Sequence, residues 1–76
     1  MKIRNRVGQK VRITSDNECY ERFAGKVLVI TSVSTNTDDH PGFDPGAGSA
    51  LYDFETESGD PVPFSLYEWE FTGIKH

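Results

Sequence analysis

Lys26-Val27-Leu28-Val29-Ile30-Thr31-Ser32-Val33-Ser34 decides the fold. β-Branched residues dominate it, and they favour a pleated backbone. Val27, Val29, Thr31 and Val33 fall on one row, Leu28 and Ile30 on the other, so the period is two. Apolar residues on both rows predict a central strand that bends across a small barrel. Val27, Val29 and Val33 are expected to face the core.

The same period continues on both sides. Val11 and Ile13 alternate with Lys10 and Arg12, which predicts a half-buried strand around residues 8–14. Ala50, Tyr52, Phe54 and Thr56 predict a third strand, with Asp53, Glu55 and Glu57 pointing the other way. Ser58-Gly59-Asp60 reads as a tight turn, because glycine accepts positive φ. Val62, Phe64 and Leu66 predict a fourth strand. Pro61 and Pro63 lack amide donors and place it at a sheet edge. Ser65-Leu66-Tyr67-Glu68 suits one short 3₁₀ turn. Trp69 and Phe71 then alternate with Glu68 and Glu70 in a short last strand. The expected core is Val11, Ile13, Val27, Val29, Val33, Tyr52, Phe54, Val62 and Phe64. No window shows a helical stripe. Residues 36–49 hold Asn, Asp, Pro and Gly, and are expected to form a long mobile loop.

With 76 residues the chain is expected to be one domain, spanning 1–76. Its longest apolar run, Val27 to Ile30, is four residues, whereas a membrane helix needs about 20. No membrane span and no leader sequence are expected. Cys19 is the only cysteine, so no intrachain disulfide can form. A reducing, cytoplasmic location is the expectation.

The charge is divided along the chain. Residues 1–26 carry seven of the eight basic side chains and three acids. Residues 27–76 carry nine acids and only Lys75. The net charge is −4. Such asymmetry speaks of partners more than of fold.

Three stretches carry a resemblance: Gly8-Gln9-Lys10-Val11-Arg12-Ile13, Tyr20-Glu21-Arg22-Phe23-Ala24-Gly25-Lys26-Val27, and Gly59 through Phe71. Together they resemble the SH3-like small barrels. KOW-type domains are similar. So are the small barrel accessory subunits of photosynthetic electron-transfer complexes, whose Tyr-x-x-Phe-x-Gly loop is similar to Tyr20 to Gly25. The resemblance implies a five-stranded all-β barrel, with a 3₁₀ turn before the last strand, that binds without catalysing. Ala50-Leu51-Tyr52-Asp53-Phe54 looks like the ALYDF opening of signalling SH3 domains. Only 22 residues follow Phe54, too few for the ligand-binding remainder of such a domain.

The chemistry points the same way. Cys19 sits among Asp16, Glu18 and Glu21, which raise a thiol pKa and blunt it. Asp38, Asp39, His40 and Asp44 miss the spacing of a calcium loop, since Pro41 stands where a glycine is needed. Neither metal nor cofactor is expected, and no catalytic residue. Lys10, Arg12, Arg22 and Lys26 with Tyr20 and Phe23 offer a nucleic-acid patch, against an acidic overall charge. Glu68 and Glu70 are expected beside Lys10 and Arg12 as cross-strand ion pairs. The preferred reading is a protein-binding module, a phage-type regulator or an accessory subunit, that meets a basic surface. Its candidate binding residues are Asp53, Glu55, Glu57 and Asp60, with Phe43 and Tyr67 as outward-facing anchors.

Overall fold

A computed structural model describes residues 5–14, 22–23 and 25–74. Those residues form five antiparallel strands in one sheet. They are β1 (Lys10–Ile13), β2 (Val27–Ser34), β3 (Leu51–Thr56), β4 (Pro61–Tyr67) and β5 (Phe71–Gly73). Spatial order is β4-β3-β2-β1-β5. Strands β1 to β4 form a meander, and β5 returns to the far side of β1. No α-helix occurs among the described residues, and no helix there is long and apolar enough to cross a membrane.

The interior is built from Val11, Leu28, Ile30, Ala50, Tyr52, Phe54, Leu66 and Phe71. Ile13, Phe23, Val33, Val62 and Phe64 pack against it. The rings of Tyr52 and Phe54 both meet Phe71 edge-on, with centroids 5.2 and 5.3 Å away. Perpendicular approach sets the positive ring edge on the negative face, a favoured arrangement.

One expectation about β2 is corrected. Leu28 and Ile30 are buried, whereas Val27 and Val29 are only half-buried. A β-bulge explains how Val33 still packs inward. Ile30 lies opposite Phe54 and Ser32 opposite Asp53, so Thr31 is the extra residue. The insertion reverses the alternation, because successive side chains point to opposite faces. Core contact passes from the even positions Leu28 and Ile30 to Val33, which lies opposite Tyr52.

A second correction concerns the chain after β4. The strand runs on to Tyr67, and the 3₁₀ turn is Glu68–Glu70, not Ser65 to Glu68. The Glu70 carboxylate accepts the Tyr67 backbone N–H at 3.1 Å and closes that turn. Trp69 therefore belongs to the turn and not to β5. At three residues per turn, Trp69 and Phe71 no longer share a face. Phe71 is buried and Trp69 is 61% exposed.

Candidate partner-binding surface

The connection from β2 to β3 lies over the outer face of the sheet. Two cross-strand rows receive it: Ser32–Asp53–Ser65, and Ser34–Leu51–Tyr67. Phe43, in the connection, is buried at 6% exposure. The expectation that Phe43 faces outward as an anchor is thus corrected. Burying the Phe43 ring removes apolar surface from water, which favours a packed connection.

Polar contacts fix the connection at further points. The Asp44 backbone N–H donates to the Tyr67 hydroxyl at 2.9 Å. Asp44 also caps the 3₁₀ turn Pro45–Ala47 by accepting the Gly46 N–H. Ser49 Oγ accepts the Glu68 N–H at 3.1 Å. Asp39 accepts the Thr35 N–H, and Asn36 accepts the Asp39 N–H. The loop acids Asp39 and Asp44 therefore serve the loop's own turns. Among the described residues no group of His, Cys, Asp and Glu is placed to hold a metal ion.

His40, Ser65 and Asp53 form a cluster that resembles a hydrolytic triad in composition only. The Gly42 N–H donates to His40 Nδ1 at 3.0 Å, so in the neutral ring the proton sits on Nε2. Nε2 then donates to Ser65 Oγ, 3.1 Å away. Ser65 in turn donates to the Asp53 carboxylate. A triad needs the reverse order, with the base taking the serine proton and the acid holding the other ring nitrogen. This chain of bonds runs from loop to histidine to strand. It positions the loop and leaves Ser65 unactivated.

The acidic residues expected on one face are placed as follows. Asp53 is half-buried and engaged by Ser65, with His40 Nε2 3.8 Å away. Glu55 is half-buried on β3. Glu57 and Asp60 are exposed around the β3–β4 turn. Glu57 meets Lys10 Nζ at 3.7 Å. The expected pairing of Lys10 with Glu68 or Glu70 is corrected accordingly. β5 does pair with β1, but the two glutamates sit in the turn before it, and their carboxylates serve Tyr52 and Tyr67.

Of the aromatic residues in the expected nucleic-acid patch, Phe23 is described and half-buried. Phe23 packs edge-on against Phe64 at 5.4 Å, and the Lys26 ammonium lies 5.9 Å above its ring. Cys19 and Tyr20 lie outside the described residues.

Tyr67 is half-buried, and Trp69 lies flat against it. Their centroids are 5.0 Å apart and their planes 13° from parallel. One face of the indole is covered and the side chain remains mostly in water. The place of Trp69 in a turn is hidden in the sequence because the Glu-Trp-Glu-Phe alternation reads as a strand. Asp44, Glu68 and Glu70 stand on the residues that hold this shelf in place.

Tyr52 is fully buried. Its hydroxyl donates to Glu68 Oε1 at 3.1 Å. Burial, and then the adjacent Glu68 charge, push the Tyr52 pKa above its ordinary 10.0.

Comparison of the chain with family models, curated proteins and solved structures finds no match. The class defined here is therefore that of the fold itself, an antiparallel five-stranded all-β domain.

Proposed function

We propose that the protein is a non-catalytic, SH3-like small barrel of the cytoplasm that binds a basic surface on a protein partner. The observation that carries this reading is the Tyr67–Trp69 stack, solvent-exposed at Trp69, which Glu68 and Glu70 flank in sequence. Aromatic anchors beside a polar rim are the usual makings of a binding surface. The acidic row of β3 and its turn, Asp53, Glu55, Glu57 and Asp60, adds charge that steers a basic partner. The strand order, with a 3₁₀ turn just before β5, supports the barrel reading. The direction of the Ser65 hydrogen bond supports the non-catalytic one. A phage-type regulator and an accessory subunit of a larger complex both fit such a surface.

The experiment is a pull-down of the tagged protein from native lysate, with and without nuclease. A protein partner should stay bound after nuclease treatment. It should be lost at raised salt, and weakened in the Glu55→Gln/Glu57→Gln double variant. A partner that vanishes with nuclease, or with Arg12→Gln/Lys26→Gln alone, would reject the reading in favour of nucleic acid, whose phosphates need the basic residues.

A further inference from the structure

We propose that the open face of Trp69 is the seat of an arginine side chain from the partner. This rests on the protein-binding reading above and names its anchor. Three features of the structure carry it.

The first is geometric. Tyr67 covers one indole face at 5.0 Å and 13°, while 61% of the Trp69 surface stays exposed. The stack fixes the ring, so a ligand meets a platform already oriented. Tyr67 is itself held through its hydroxyl by the Asp44 N–H, and through its backbone N–H by Glu70. Little side-chain freedom is left to lose on binding.

The second is electrostatic. Tryptophan has the best ring face for a cation. The residues on either side of Trp69 are Glu68 and Glu70. An anionic or nucleic-acid ligand would approach against this charge, and a cation approaches with it.

The third is the shape of the cation. A guanidinium is planar and weakly hydrated, lies flat on an indole, and presents its N–H groups in its own plane. Stacked on Trp69, it would present those donors around the edge of the indole. An ammonium can use the charge but not the plane.

Trp69 is the only tryptophan, so its fluorescence reports this site alone. The probe is a hexa-arginine peptide at low salt, with hexa-lysine and a thymidine oligonucleotide as comparators. The expected result is a saturable change in Trp69 emission with hexa-arginine, a weaker one with hexa-lysine, and none with the oligonucleotide. With dye-labelled hexa-arginine, Trp69→Ala should bind about two- to fivefold more weakly, the range of an exposed cation–π contact. Trp69→Phe keeps an aromatic face and should fall between. It carries the test if Trp69→Ala fails to fold. Unchanged affinity in both variants, while Glu55→Gln/Glu57→Gln weakens binding, overturns the Trp69 seat and leaves the acidic-surface reading standing. No binding of hexa-arginine or hexa-lysine by the parent protein overturns both. A response to the oligonucleotide stronger than to hexa-arginine also overturns both.

Discussion

The backbone N–H of Asp44 donates to the hydroxyl of Tyr67 at 2.9 Å, across 23 residues of sequence. That bond ties the long β2–β3 connection to the end of β4, where the exposed aromatic shelf begins. Tyr67→Phe removes the acceptor and keeps the ring. Water can reach the freed N–H, so the expected loss is at the low end of about 0.5–1.5 kcal/mol. Urea denaturation measures it. Trp69 emission should shift more than stability does, since the shelf loses its tether.

The Ser65 hydroxyl joins His40 to Asp53 and should behave as a structural link. Ser65→Ala leaves a half-buried carboxylate and a half-buried imidazole without their shared partner. The expected destabilisation is about 1–2 kcal/mol, since one acceptor is charged. Parent Ser65 should not react with a fluorophosphonate probe, because its proton is committed to Asp53 and not to the histidine. Labelling at Ser65, detected by mass spectrometry, would refute the hydrogen-bond direction described here.

The bulge at Thr31 makes a direct contrast between neighbours. Leu28→Ala empties a fully buried site and should cost about 2–5 kcal/mol. Val29→Ala, on the half-buried outer face, should cost distinctly less. Equal losses in thermal denaturation would place the two rows as the bare alternation suggests, and would contradict the bulged register.

These contrasts mark how much of the fold is legible in the sequence. Strand identity came from period two and turn chemistry, and the turn at Ser58 to Asp60 is where the glycine places it. The choice of face on β2 was not legible. Val27 and Val29 look as apolar as Leu28 and Ile30, and the bulge that sets the phase has no local signature in Thr31-Ser32. The site was less legible still. His40 and Ser65 are 25 residues apart, and nothing in either segment announces the other. The turn at Trp69 is not legible because two glutamates at alternate positions imitate a strand, whereas Glu70 uses its carboxylate to close a turn.

Gly59 isolates a backbone effect. Its φ is +93°, and a methyl group there would meet nothing within 4 Å. The cost of Gly59→Ala is therefore conformational and not steric, about 1–2 kcal/mol. Gly59→Asn should recover part of it, since asparagine tolerates positive φ better. If alanine and glycine gave the same melting temperature, the β3–β4 turn would have to differ from the one described.

Tyr52 makes the fold sensitive to alkali. Its pKa is raised in the folded protein, first by burial and then by the nearby Glu68 charge. A raised pKa means that folding favours the protonated phenol. That contribution is fully present below the unfolded-state value near 10, and it is lost as pH rises through the higher folded-state value. Phenolate absorbance near 295 nm follows tyrosine ionisation, and the difference between the parent and Tyr52→Phe isolates the Tyr52 step. The Tyr52 step should coincide with loss of the folded far-ultraviolet signal. Tyr52→Phe removes the ionisable group and its bond to Glu68. It should be less stable than the parent at neutral pH, yet lose less stability between pH 9 and 12. A parent and a variant with parallel stability curves over that range would show that Tyr52 does not couple ionisation to folding.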